Sequence, residues 1–164
     1  MNQKNVRRGI RFAVFAAIAV MAGVFLRSYE RFAIPPQDQS LAPAHPGGSR
    51  VFCEVVDDDD ELERGVDVVY AMEYEGARRA RFGRIRGLPG DQIGHDAEGR
   101  ITVNGEPIGP IALRGKVDGR VPEGQVFILA VNPQETTYPD SRQLGFIERT
   151  DVQAIILATW GIGR

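Results

Sequence analysis

Residues Phe12 to Leu26 form an unbroken run of apolar and small side chains, without charge or proline, closed at its ends by Arg11 and Arg27. A helix apolar on every side has to be covered by protein or by lipid. A full membrane span prefers ~20 apolar residues, and this run is shorter. The long stems of Arg11 and Arg27 make up the difference, because they snorkel to the two interfaces and let Ile10 join the buried stretch. A cleaved export signal needs small residues soon after its apolar run. Here Leu26-Arg27-Ser28-Tyr29-Glu30-Arg31-Phe32 follows, which is bulky and charged. The segment therefore reads as an uncleaved signal anchor. Lys4, Arg7, Arg8 and Arg11 precede it, while Arg27 and Arg31, partly offset by Glu30, follow it. The positive-inside rule then predicts a single-pass protein of the plasma (inner) membrane. Its parts are a basic cytoplasmic N-terminus at 1–11, a transmembrane anchor at 12–28 and an extracytoplasmic domain at 29–164.

The 164 residues leave room for one compact domain beside the anchor. With 20 basic and 22 acidic residues, the chain lacks the basic surplus that marks a nucleic-acid-binding protein. Asp57, Asp58, Asp59 and Asp60 form an acidic run with no EF-hand spacing around it, so it reads as a solvated loop. Neither a metal site nor a cofactor is expected. The lone cysteine, Cys53, has no partner for an internal disulfide. Within Val51-Phe52-Cys53-Glu54-Val55-Val56 it reads as a small packed residue of a strand.

Pro35, Pro36, Pro43, Pro46, Gly47 and Gly48 make 33–49 poor helix material, so this segment should be extended with turns. Strand-like runs follow at Val51–Val56, Val66–Tyr74, Arg81–Arg86, Ile101–Val103, Gln125–Val131 and Val152–Thr159. Turn chemistry separates them: Gly87-Leu88-Pro89-Gly90-Asp91, Asn104-Gly105, Pro122-Glu123-Gly124 and Pro139-Asp140-Ser141. Asn104-Gly105 has the residues of a two-residue type I′ hairpin loop. The predicted fold is mainly β, an antiparallel domain behind a transmembrane helix.

The order of these features resembles the type I signal peptidase family of membrane serine/lysine peptidases. Arg84-Ile85-Arg86-Gly87-Leu88-Pro89-Gly90-Asp91 resembles that family's lysine–arginine–hydrophobic–x–Gly–x–Pro–Gly–Asp signature. Val103-Asn104-Gly105 is similar to its valine–asparagine–glycine turn. Val121 to Leu129 resembles the strand entering its last conserved block, and Asp140-Ser141-Arg142 with Gly145 resembles the end of that block. Arg64-Gly65-Val66-Asp67-Val68-Val69-Tyr70 is similar to the glycine-led strand before the lysine region. Taken alone each piece is ordinary turn chemistry, and Asp140 with Arg142 would pass for a surface ion pair. Their shared order after one anchor is what is specific.

The resemblance implies peptide-bond cleavage by a serine, with a neutral lysine as general base. Such a lysine must be buried so that its pKa falls well below ~10.4. Ser40-Leu41-Ala42-Pro43, followed by Gly48, resembles the family's serine motif and puts Ser40 at the nucleophile position. A competing alignment from Ile34-Pro35 puts Asp38 there instead. The lysine position falls on Gly83. The chain's lysines are Lys4, on the cytoplasmic side, and Lys116, in a loop between hairpins; its histidines are His45 and His95. Arginine cannot replace the lysine, since it keeps its proton in proteins. If Ser40 is the nucleophile, Asp38 stands on the oxyanion side, where a carboxylate would repel developing charge. The last block starts Ala130-Val131-Asn132 rather than Gly-Asp-Asn, and its loop carries Glu135, Thr136 and Thr137. The expectation is a catalytically silent homologue that rests in the lipid bilayer and binds extended preprotein segments or assists an active signal peptidase. The alternatives are a working peptidase using Ser40 with a base such as Lys116 or Glu135, and a structural assembly partner.

Overall fold

The computed structural model describes residues 3–74, 76–112, 117–132 and 138–162. A long helix, α1 (Gln3–Ser28), opens the chain. Strands β1 (Tyr29–Ala33), β2 (Ser49–Val55), β3 (Asp67–Tyr74), β4 (Ala77–Gly87), β5 (Gln92–His95) and β6 (Arg100–Val103) follow. Then come β7 (Glu106–Ala112), β8 (Gly119–Arg120), β9 (Gln125–Leu129), the short helix α2 (Ser141–Leu144), β10 (Ile147–Glu148) and β11 (Val152–Ile162). A 3-10 turn at Arg149–Asp151 leads into the last strand.

The segment Arg11–Ser28 is long and apolar enough to cross a membrane, and none of it is buried against the domain. Phe12, Phe15 and Leu26 are all largely exposed. A core helix of a water-soluble protein would hide such a face.

Among the described residues, all strand pairs are antiparallel and fall into two sheets. One has the order β1-β2-β11-β3-β4-β9-β10 and the other the order β7-β6-β5-β8. The larger sheet is covered on both faces, which explains the continuous apolar run through Val68, Val69, Tyr70, Ala71 and Met72. Val69 and Phe82 face one way and pack with Ile34, Leu41, Val51, Cys53 and Ala154. Val68 and Tyr70 face the other way and pack with Ile85, Val126, Ile128 and Val152. A third cluster of Ile93, Ile101, Val103, Val121, Phe127 and Leu129 joins the two sheets. Cys53 is fully buried, and burial first, then the Glu30 carboxylate, pushes its thiol pKa up to about 12. It is a packing residue with no thiolate chemistry at neutral pH.

Residues 34–48 carry no helix or strand, as their prolines require. Gly87 to Asp91 is a turn between β4 and β5, and Asn104-Gly105 closes the β6–β7 hairpin with φ of 54° and 84°. The acidic run lies in an exposed loop, where the Arg149 guanidinium donates to the carbonyls of Asp57 and Asp60. Besides β5 and β8, which the sequence reading left as connecting segments, three features differ from it. Tyr29–Ala33 is an edge strand, held by five paired positions on β2. β4 begins four residues before Arg81. Asp140 starts a short capped helix in place of a turn: its carboxylate accepts the Arg142 N–H, and Gln143 bonds back to the Asp140 N–H.

Candidate functional site

The signature residues converge on three polar knots. In the first, Asp91 accepts from Arg64 Nε and Nη2 (2.8 and 2.5 Å), from the Leu88 N–H (2.7 Å) and from Asn104 Nδ2 (2.9 Å). Burial alone would raise the Asp91 pKa, but these donors outweigh it and the net direction is down. Gly90 takes φ +89° to close the turn, while Gly87 lies flat against the core, where an added Cβ would be 3.0 Å from Ile93 Cδ1 and 3.1 Å from Phe127 Cβ. Pro89 is exposed at the tip. Thus Arg64, the turn and the Asn104-Gly105 hairpin, remote in sequence, are tied to one carboxylate.

In the second knot, Arg84 donates to both oxygens of Asp67 (2.7 and 2.9 Å), and this pairing raises the Arg84 pKa further. Asp67 Oδ2 also lies 3.1 Å from His45 Nε2, and His45 Nδ1 contacts the Thr159 hydroxyl. His45 thereby pins the irregular 34–48 segment to β3, β4 and β11. In the third, Arg142 Nε donates to both oxygens of Asp140 (2.8 and 3.0 Å), and Asp140 also accepts the Ala130 N–H (2.9 Å). Ser141 Oγ accepts the Ile128 N–H (2.9 Å). All three residues of Asp140-Ser141-Arg142 are buried, so this is an interior ion pair and not a surface one.

Ser40 and Gly83 flank the same end of β9. The Ser40 carbonyl accepts from the N–H groups of Val131 (2.6 Å) and Asn132 (3.0 Å), and an added Cβ on Gly83 would lie 3.2 Å from the Leu129 carbonyl oxygen. Ser40 and Asp38 are only 4% and 1% exposed. Asp38 Oδ1 accepts the Ser40 N–H at 3.0 Å. Among the described residues, every hydrogen bond of Ser40 runs through its backbone.

The face of β4 that carries Gly83 also carries Arg81 and Ile85. Opposite them on β3 stand Val68 and Tyr70. The Tyr70 ring is 3.4 Å from the ideal Cβ position of Gly83, and Ile128 Cγ2 is 2.6 Å from it. Burial is the main cause that raises the Tyr70 phenol pKa; the carboxylates of Asp140 and Asp38 add to it, and the cations of Arg81 and Arg142 oppose it. Arg81 stacks on the Tyr138 ring with its guanidinium carbon 4.1 Å from the centroid, and Gln37 Nε2 donates to the Tyr138 hydroxyl at 3.1 Å.

The sequence profile described as signal peptidase, peptidase S26, matches residues 9–160. The chain belongs to the signal peptidase family. Its solved structural relatives include a signal peptidase I from Enterococcus faecalis V583, with 18% identity, covering 60% of this chain and 98% of that one at a TM-score of 0.45. No curated protein sequence matches the chain. In a signal peptidase family member, the exposed apolar α1 marks a membrane-anchored protein.

For this family member, Ser40, Asp38 and Gly83 come together at one end of β9, while the remaining signature residues form the three knots. Lys116 and Glu135, the alternative bases, lie outside the described residues, as do Thr136 and Thr137. His95 lies on β5 in the second sheet. No cluster of three or more His, Cys, Asp or Glu suited to a metal occurs among the described residues. Tyr70, Arg81, Tyr138 and the His45–Asp67 contact went unread in the sequence. The alternation of Arg81, Gly83 and Ile85 on one strand face was the available signal for Arg81, whereas Tyr138 carries none.

Proposed function

We propose that this chain is a catalytically silent signal peptidase homologue that holds extended preprotein segments at the membrane. The observation that carries the reading is the filled space at Gly83. A lysine there would begin its side chain 2.6 Å from Ile128 Cγ2 and beside the Tyr70 ring. Among the described residues, no neutral amine then stands ready to take a proton from Ser40, and serine without a base is a weak nucleophile. His45 is engaged by Asp67 and Thr159. The Ser40 N–H, a natural oxyanion donor, is taken by Asp38 Oδ1.

Holding a peptide needs none of this machinery. β4 pairs with β3 over Ala77–Arg84, but with β9 only at Arg84, Ile85 and Gly87. Among the described residues, no strand pairs with β4 on its β9 side before Arg84. An extended segment added there would gain main-chain hydrogen bonds beside Ser40. The positive-inside bias puts this edge outside the cytoplasm, with α1 as a single span.

The test is photo-crosslinking of the purified full-length chain to a preprotein peptide bearing a benzophenone next to an Ala-x-Ala-type site. Adducts should map to 77–83 or 36–41, with the peptide intact. Adducts confined to other surfaces would contradict the reading.

A further inference from the structure

The outer face of the sheet edge nearest the anchor carries two arginines beside an aromatic groove. The strand register puts Arg31 opposite Phe52 and Ala33 opposite Arg50. β11 continues the row, with Ala158 opposite Phe52 and Trp160 opposite Arg50. Tyr29, Arg31, Arg50, Phe52, Ala158 and Trp160 therefore share one face. The end of α1 leans on it: Phe25 and Tyr29 lie 4.7 Å apart between ring centroids, and Tyr29 stacks on Phe52 at 5.2 Å. Between them runs a groove of about 590 Å³, walled by Phe25, Leu26, Tyr29, Phe52, Ala158 and Trp160 and edged by Arg31. A second hollow of about 240 Å³ shares Arg31 and Trp160 with it and is bounded by Arg50.

Both arginines are exposed, and among the described residues neither forms an ion pair. Glu54 faces the same way, but it stands opposite Tyr29, at the far side of Phe52 from Arg50. The groove is thus apolar along its length and cationic at one end, and it is continuous with a helix that belongs in lipid. A surface helix end with aromatic rings and arginines is what an interfacial anchor requires.

We propose that this groove binds one anionic phospholipid of the surrounding bilayer, with an acyl chain against the aromatic wall and the phosphate between Arg31 and Arg50. The proposal rests on the membrane-anchored reading and goes beyond it: a generic interface would meet any lipid, whereas paired unneutralised arginines select the anionic one. The volume is within the ~300–1,000 Å³ of ordinary ligand sites.

Trp160 is the sole tryptophan of the chain, so its fluorescence reports this site alone. The full chain is placed in phosphatidylcholine nanodiscs containing phosphatidylglycerol, with bromine on the acyl chains of one lipid or the other at equal mole fraction. Incorporation is checked by size-exclusion chromatography, which tests the anchor separately. Brominated phosphatidylglycerol should quench Trp160 with an apparent preference of about fivefold, the scale of one juxtamembrane basic residue acting on anionic lipid. Arg31→Gln with Arg50→Gln should abolish the preference. Arg31→Lys with Arg50→Lys should keep most of it, and Arg100→Gln with Arg120→Gln, on the second sheet, should leave it unchanged. Equal quenching by both lipids, no quenching by either in incorporated protein, or a preference that survives the Arg31/Arg50 glutamine pair would each overturn the proposal. Quenching by neither lipid together with a dimer on the column would assign the groove to a second copy instead.

Discussion

The Tyr70 ring lies 3.4 Å from the point where a side chain on Gly83 would begin. Glycine is thus a packing requirement of this site, since Ile128 Cγ2 and the Leu129 carbonyl close the remaining space at 2.6 and 3.2 Å. Gly83→Ala should destabilise the domain by about 1–3 kcal/mol through overpacking. Urea denaturation of the full chain in detergent measures it. In an Ile128→Ala background the added methyl should cost much less, because the nearest obstacle is gone. Equal costs in both backgrounds would mean that Ile128 does not set the limit.

Asp140 and Arg142 form an interior pair that also caps α2 and holds the Ala130 N–H. Removing Asp140 takes from the buried Arg142 the carboxylate that accepts its Nε at both oxygens, and takes from the Ala130 N–H its acceptor. Asp140→Ala should cost about 3–5 kcal/mol. Arg78→Ala, at the exposed Arg78–Asp151 pair, should cost less than about 1 kcal/mol. Similar losses at the two sites in denaturant titrations would contradict the interior placement.

Asp91 is expected to give acid sensitivity. Its folded-state pKa lies below the ordinary 3.8, so the unfolded chain takes up this proton first. The stabilisation is complete above the unfolded value and is lost as pH falls through the folded one. Asp91→Asn should therefore be less stable than the parent at neutral pH, with the gap narrowing as the pH drops below 3.8. A gap that stays constant on acidification would show that the Asp91 charge contributes nothing.

The charge bias about α1 predicts that protease added to sealed spheroplasts digests the domain while cytosolic markers survive. Full protection of the domain would reverse the orientation.

Local chemistry was legible in the sequence where a few adjacent residues dictate a backbone conformation. The Asn104-Gly105 hairpin, the Gly87–Asp91 turn and the proline-bound 34–48 segment are of that kind. β1 was not legible, because Tyr29-Glu30-Arg31-Phe32 has a mixed pattern and becomes a strand only by pairing with β2, about twenty residues on. β5 is interrupted by Gly94, which disguises it as turn material. At the site, the absence of a lysine next to Arg84 is visible in one dimension. That Tyr70 and Ile128 fill the space beside Gly83 is not, since those residues come from β3 and β9. The same holds for Asp140 and Arg142, whose spacing alone suits a surface pair as well as a buried one.

The central claim is that Ser40 has no working base. Losing general-base help costs about 10²–10⁴ in rate, and losing an oxyanion donor costs about 10²–10³ more. The direct measurement is processing of a preprotein by the purified full-length chain in detergent, beside Ser40→Ala and an active signal peptidase. The unmodified chain should be indistinguishable from Ser40→Ala. Robust cleavage that disappears in Ser40→Ala would show that another group, such as Lys116 or Glu135, takes the proton, and the silent reading would be wrong.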